Sequence, residues 1–341
     1  MQVTILTGGS TAERNVALAG GHQVAAALRD RGHSVIVVDT VEGPLGPDDE
    51  SRILTQCVGP EPPSSDELRQ LAAREHVEAL ATLPELRDAD LVFLLLHGRQ
   101  GEGGEVQALL ELAGITYTGS GPVPSAVAMD KDIAKRLFRD AGITTPDWRM
   151  WPSPPDEIAQ LGYPLIVKPS KTGSTLGLSL VKSETGLEAA VEAAREHDDE
   201  IMLEQFVEGR EFTMGVLGDR VLALGEIIPD HPIFDYECKY TPGLTQEVFP
   251  AAIQEELRQR LRAMAIEAHR CLKLRDFSRV DFRIDCSGTP HCLEVNTLPG
   301  LTVTSLLPQS AAAVGISFGD LCEEICRVAL ERSGVRNKVR A

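Results

Sequence analysis

Apolar and polar residues alternate along the first third of the chain with two different periods. Residues 3–6, 34–38 and the run LVFLLL at 91–96 read as buried strands, while residues 15–31 place apolar side chains at helical spacing. Strands separated by helical stretches predict a parallel sheet with crossover helices. Between them, residues 42–66 are rich in Pro, Gly and acidic side chains and predict a loop or excursion outside the core.

A second unit begins near residues 119–124. It predicts a helix over 130–140, strands at 165–168 and 178–182, a helix at 184–196 and a strand at 201–206. The last third predicts long strands over 211–228, an irregular segment at 229–250, a helix at 252–273, strands at 277–285 and 291–295, and a final helix after Ser317. No repeat is visible, which excludes a solenoid. The expected fold class is α/β and α+β, with units packed around shared clefts.

Composition narrows the partners. Hydrophobic residues make up 43% and charged residues 25% of the 341, as in soluble globular chains. Aromatics are only 4%, so aliphatic side chains must fill the core. A net charge of -18 repels phosphate backbones, which argues against nucleic acid as a partner. The start MQVTILTGG lacks a basic segment followed by a long apolar run, and no stretch is apolar enough to span a membrane, so a soluble chain without an export signal is expected. Seven scattered cysteines with no C-x-x-C pair predict reduced, mostly buried thiols.

The strongest chemical pattern is SRVDFRID (278–285) followed by CLEVNTLPG (292–300). With period two, Val280, Phe282 and Ile284 face a core while Arg279, Asp281 and Arg283 share the other face. On the next strand Leu293 and Val295 are expected inward, with Glu294 and Asn296 projecting beside Asp281. Two carboxylates and an amide oxygen suit magnesium; the same strand pair could equally form a surface salt-bridge ladder. A second pattern, IVKPSKTGSTLGLSLV (166–181), is a strand, a Gly/Ser/Thr/Lys loop and a strand, which reads as a flexible phosphate cover with Lys168 as a point charge or as an ordinary hairpin turn. It is neither a P-loop nor a nucleophile elbow. Weaker signals lie at GGSTAER (8–14), at HGRQGEGG (97–104), with His97 and Glu102, and at DYECKYTPG (235–243), a lid-like loop with Lys239 and Tyr240.

In order along nearly the whole chain, these motifs resemble the D-alanine:D-alanine ligase family of ATP-grasp enzymes. The resemblance is carried by GGSTAERNVAL (8–18), LHGRQGEGGEVQALLELAGITYTGSG (96–121), MDKDIAK (129–135), IVKPSKTGSTLG (166–177), DYECKYTPG, and RVDFRID with EVNTLPGLTVTSLLP (294–308). It implies a three-domain ATP-grasp architecture: an N-terminal α/β substrate domain over 1–119, a central ATP-grasp domain over 120–204, and a C-terminal domain over 205–341 with the metal and catalytic residues.

The resemblance implies that ATP lies between the central and C-terminal domains, with Lys131, Lys168, Lys239 and Ser174 at its phosphates. Glu204, Phe206 and Val207 would meet adenine, and Glu211 the ribose. Asp281, Glu294 and Asn296 would hold two magnesium ions, or manganese in their place. Glu13, with Val16 and His97, would receive the first D-alanine. Arg279 and the Gly300 amide would form the oxyanion site, while Ser305 and Leu306 would bind the second substrate. Ser174, Tyr240 and Glu13 would form a hydrogen-bonded trio that closes the lid. A cytoplasmic homodimer serving peptidoglycan synthesis is the implied setting.

Some positions depart from the family pattern: Asn15 and Ala17 beside Glu13, Gln205 in the adenine segment, Lys171 and Thr172 in the phosphate loop, and Leu301 after Gly300. None removes Arg279 or a proposed metal ligand. The alternatives are a related ATP-grasp ligase with another amino acid, a non-catalytic nucleotide-binding homologue, and an oxidoreductase, which the absence of G-x-G-x-x-G disfavours.

Overall fold

The computed structural model describes residues 1–54, 58–59, 61–231, 233–234, 236–241 and 243–340, the side chains of Tyr240 and of residues 335–340 excepted. Its strands form three sheets. The first contains β1 (Gln2–Thr7), β2 (Ser34–Asp39), β3 (Gly43–Leu45) and β4 (Leu91–Leu94) in the order β3-β2-β1-β4. As the strand-helix alternation predicts, β1 runs parallel to both β2 and β4. The helix Arg14–Asp30 makes the first crossover and buries Val16, Leu18, Val24 and Leu28. The LVFLLL run leaves the ladder after Leu94, but Leu95 and Leu96 stay buried and the Leu95 amide still donates to the Leu6 carbonyl at 2.9 Å.

The expectation of a coreless excursion at 42–66 needs correction. The stretch opens with β3, an antiparallel edge strand, followed by the helix Pro47–Ile53, and Leu45 and Leu54 are buried against the first core. The Pro and acidic residues that suggested a loop are a helix start: Pro47 stands in the first turn with Asp48, Asp49 and Glu50. Cys57, within this stretch, lies outside the described residues. Of the other cysteines, Cys238, Cys292, Cys322 and Cys326 are buried, Cys271 is half-buried and Cys286 exposed.

The middle sheet is antiparallel, with order β5-β8-β6-β7 for β5 (Trp148–Trp151), β6 (Leu165–Pro169), β7 (Ser179–Val181) and β8 (Ile201–Gln205). The third, also antiparallel, has order β11-β10-β9-β12-β13, for β9 (Gly209–Leu217), β10 (Arg220–Pro229), β11 (Thr245–Val248), β12 (Phe277–Asp285) and β13 (Pro290–Asn296). The helix Glu255–Cys271 covers one face of it. The segment expected to be irregular at 229–250 therefore holds β11 and a short helix, Tyr236–Tyr240.

Packing ties the sheets into one body. Leu217, Phe277, Leu298 and Leu301 from the last third join the core of the first sheet around Val3, Ile5 and Phe93. Ala134 and Phe138 of the helix Lys131–Asp140 pack into the core of the third sheet, whereas the middle sheet keeps a small core of its own around Leu165, Val167 and Leu203. Val280, Phe282 and Ile284 face the core as their alternation predicts. Leu293 does not. The pairing of β12 with β13 slips between Asp281 and Phe282, so Cys292 takes the inward position and Leu293 joins Glu294 on the cleft side. A bulge of this kind adds one residue and breaks the period-two rule on which the expectation rested.

Candidate active site

Between the middle and third sheets lies a cleft of about 960 Å³, lined by β6, β8, β12 and β13, by residues of the loop at 172–178, and by Ile233, Phe234 and Lys239. A smaller cavity of about 300 Å³ adjoins it, sharing Lys131, Gly173 and Glu294 and adding Glu102 and Asn296.

The phosphate-loop signal is a folded loop. Ser174 and Thr175 both take left-handed backbone conformations, with φ of 53° and 63°, which two successive L-residues adopt only when their surroundings hold them. Here the Ser174 hydroxyl donates to the Glu13 carboxylate, and the Thr175 hydroxyl donates to the Phe234 carbonyl at 2.9 Å and accepts from Lys239 Nζ at 3.0 Å. The loop thus touches Glu13, at the start of the first crossover helix, on one side and Phe234 and Lys239 on the other. Lys131 Nζ reaches the Thr172 carbonyl at 2.9 Å and Glu294 at 3.4 Å.

At the far end, Lys168 Nζ donates to Glu204 Oε1 at 2.8 Å. Glu211 is paired with Arg283 at 3.1 Å, and Arg283 also donates to the Val207 carbonyl at 3.0 Å and lies over the Phe206 ring. Phe206, Val207 and Glu211 therefore share one wall, whose shape Arg283 sets.

On the third sheet Arg279 donates to Asp281 through Nε at 3.0 Å and Nη2 at 2.8 Å. Burial works against the charge on Arg279, but Asp281 and its hydrogen bonds, with Glu294 and Glu102 behind, hold the guanidinium above its ordinary value. Asp281 also accepts from Thr213 at 2.6 Å and Asn296 at 2.9 Å. Burial opposes ionisation of Glu294 too, yet Lys131, Lys168, Lys239 and Arg279 draw it down to about 2. Lys239 is shifted the other way, below its ordinary value, because burial outweighs the pull of Glu294.

These residues fit a magnesium site by their donor chemistry. Two carboxylates, one of them held firmly ionised, stand opposite each other in the strand register, and Asn296 offers an amide oxygen once its side chain is turned about its last bond. Among the described residues no cluster of three His, Cys, Asp or Glu could hold a metal. An ion here therefore needs further oxygens, such as those of nucleotide phosphates.

The first sheet supplies the other side. Glu13 caps the helix Arg14–Asp30 by position, and its carboxylate faces Gly173 and Ser174. His97 is buried behind it, and burial lowers its basicity despite the Glu13 charge. A side-chain carbon on Gly300 would lie 3.0 Å from Ser305 Oγ and 3.9 Å from Val16, so these three converge. The Ser305 hydroxyl accepts from the Thr302 amide at 3.1 Å, and Leu306 lines the main cleft beside Phe234. The Tyr240 side chain lies outside the described residues.

Several residues at the site were not singled out from the sequence. Lys135 is fully buried and donates to Glu204 Oε2 at 2.5 Å; its only sequence signal is its place one helical turn after Lys131. Thr213 is an ordinary strand threonine until β9 pairs it with Asp281. Tyr236, whose phenol is pushed up to about 12 by burial and then by Glu13, sits inside DYECKY without any distinguishing pattern. Glu102, by contrast, was singled out with His97: it accepts from the Gly98 amide at 3.3 Å and the Leu298 amide at 3.4 Å, and burial, reinforced by Glu13, raises its carboxyl to about 8.

The same arrangement has relatives. A family model described as the D-ala D-ala ligase N-terminus matches residues 2–120, and one for the D-ala D-ala ligase C-terminus matches 137–327. The chain belongs to the D-alanine–D-alanine ligase family. Within that family it is 41% identical over 328 residues to a D-alanine–D-alanine ligase of Geobacter sulfurreducens, covering 95% of this chain and 92% of the relative. It is 37% identical to one of Halalkalibacterium halodurans, covering 97% and 100%. Among solved structures, a D-alanine–D-alanine ligase of Bacillus anthracis complexed with ATP matches with a TM-score of 0.77 at 28% identity, over 98% of this chain and 99% of that one. A D-Ala:D-Ser ligase of Enterococcus faecalis matches at 0.78 and 28%, over 96% and 99%. The fold is the ATP-grasp fold of this ligase family, whose members are ATP-dependent. No helix among the described residues is long and apolar enough to cross a membrane.

Proposed function

We propose that this chain joins two D-alanines to D-alanyl-D-alanine at the expense of ATP, through an acyl phosphate, in the cytoplasm and for peptidoglycan precursors. The observation that carries the reading is the Ser174–Glu13 bond. It closes the phosphate loop directly onto the carboxylate proposed to receive the substrate ammonium. The names of the full-length relatives support the substrate. The three separate sheets support a division near 1–119, 120–204 and 205–341. The strong negative charge argues against nucleic acid. A homodimer is proposed on family resemblance.

In the first step a carboxylate oxygen of D-alanine attacks the γ-phosphorus, the bond to the β–γ bridging oxygen breaks, and ADP departs. Lys131, Lys168, Lys239 and Ser174 position and neutralise the phosphates, which is most of what such a transfer requires of a protein. Glu204, Phe206 and Val207 hold adenine and Glu211 the ribose hydroxyls. Glu13 holds the substrate ammonium, with Val16 and His97 beside it. Asp281, Glu294 and Asn296 would hold magnesium, whose contribution when bound is to neutralise charge on the transferring group.

In the second step the free amine of another D-alanine attacks the acyl carbon, and phosphate and one proton leave. Its carboxylate is held by the Ser305 hydroxyl and the Leu306 amide. Charge developing on the carbonyl oxygen is met by Arg279 and the Gly300 amide. Tyr240, with Ser174 and Glu13, keeps water from the acyl phosphate.

The test is ADP release by the purified protein with ATP and magnesium across D- and L-amino acids and D-lactate, with products identified by mass spectrometry. D-alanyl-D-alanine is the expected product. A D-serine or other acyl product would move the substrate and keep the chemistry, whereas ATP binding with no acid-stimulated turnover would favour a non-catalytic homologue.

A further inference from the structure

Lys135 is a charged side chain with no exposed surface, and it lies outside the lining of the cleft. It stands one turn after Lys131 on the helix Lys131–Asp140, so both project from the same face, Lys131 into the cleft and Lys135 behind its wall. Its ammonium meets Glu204 Oε2 at 2.5 Å and lies 5.1 Å from the centre of the Trp148 ring, the residue paired with Glu204 across β5 and β8. Lys168 takes the other oxygen of the same carboxylate at 2.8 Å. One carboxylate is thus pinned from both sides, by a lysine in the cleft and a lysine beneath it.

Stability alone does not account for this arrangement. Burying an ammonium is costly, and well-packed apolar residues often serve as well or better in place of a buried ion pair. What the lysines do accomplish is chemical. Burial opposes ionisation of Glu204, but Lys135 and Lys168 together hold it below its ordinary value, and each of its oxygens, with one donor from these lysines, has lone-pair capacity for a further donor in the cleft that Glu204 lines. An ionised carboxylate accepts hydrogen bonds and cannot donate. A base edge carrying an amino group suits it, and one carrying a keto oxygen leaves two acceptors facing each other in a buried site.

We propose that Lys135 is a positioning residue for nucleotide choice: by fixing Glu204 from behind, it makes the base end of the cleft select a 6-amino purine over a 6-keto purine. This rests on the reading of the cleft as an ATP site. Without Lys135, Glu204 is held from one side only and is free to turn away from the base, which loosens the contact to the amino group.

The experiment is calorimetric titration with ATP and with ITP, each with magnesium, of the unmodified protein, Lys135→Met, Glu204→Gln and the double variant. The unmodified protein binds ATP more tightly than ITP. Lys135→Met weakens ATP binding by about tenfold and ITP binding by much less, the size expected for one hydrogen bond to a charged group. In the Glu204→Gln background Lys135→Met has no further effect, because the residue acts only through that carboxylate. A defect in packing alone would weaken both nucleotides alike. An unchanged ATP-to-ITP ratio in Lys135→Met, no preference in the unmodified protein, or an added loss in the double variant overturns the proposal. Should the single variant fail to fold, the double variant, which carries no unpaired carboxylate, decides by the same comparison with Glu204→Gln. Because the readout is binding, absence of D-alanine ligation would overturn the proposed function without touching this result.

Discussion

The Ser174 hydroxyl donates to the carboxylate of Glu13, 161 residues earlier in the chain. This single contact joins the phosphate loop of the middle sheet to the first sheet, and its donor holds a left-handed backbone conformation. Ser174→Ala removes the tie without altering charge. Turnover to dipeptide is expected to fall about tenfold, with a larger share of ATP consumed as free phosphate, because an open loop admits water to the acyl phosphate. Parallel assays of phosphate and dipeptide check this; a constant ratio of the two would remove the loop from water exclusion.

Arg279 is locked against Asp281 by two hydrogen bonds. Arg279→Ala is expected to lower turnover by on the order of 10² to 10³, as loss of an oxyanion donor does, while ATP binding stays measurable. Steady-state kinetics beside calorimetry separates the two effects, and near-normal turnover would sink the oxyanion role.

Glu294 keeps its charge because four cationic side chains surround it. Glu294→Gln is expected to raise the magnesium concentration needed for half-maximal rate by about tenfold. A magnesium titration of the rate measures this, and an unshifted midpoint would count against Glu294 as a ligand.

His269 lies behind β12, with Nδ1 2.8 Å from the Ser278 hydroxyl, and burial lowers its pKa from 6.5 to about 4. A folded-state value below the unfolded one means that the unfolded chain binds the proton first. The neutral ring's contribution is therefore complete above about pH 6.5 and is lost as pH falls towards 4, by about 3 kcal/mol in all. Denaturant melts of the unmodified protein and His269→Asn across that window should converge by this amount at the acid end. Parallel pH profiles would show that His269 carries no such linkage.

Much of this was legible in the sequence because it depends on local rules. Period two placed Asp281 with Arg279 on one face and Val280 with Phe282 on the other, and helical spacing found the crossover helix. Ordered motifs supplied the family. What was missed depends on features that no local pattern encodes. Lys135 reads as a surface residue of an amphipathic helix until the middle sheet covers it, and Thr213 acquires meaning only from its register with Asp281. The stretch after β2 misled because a proline and acidic residues open a helix as readily as they make a loop. Leu293 misled because a bulge is invisible to alternation.

That bulge has a consequence for how the protein can change. Between Cys292 in the core and Glu294 in the cleft stands one residue that also faces the cleft, so β13 offers an apolar surface and an anion side by side. Part of the site is thus written in how many residues the strand contains. Point substitutions can tune Leu293 for a different ligand, but a one-residue deletion there would turn the anion or the core thiol to the wrong side of the sheet. Along this strand, variation by exchange is open and variation by length is closed.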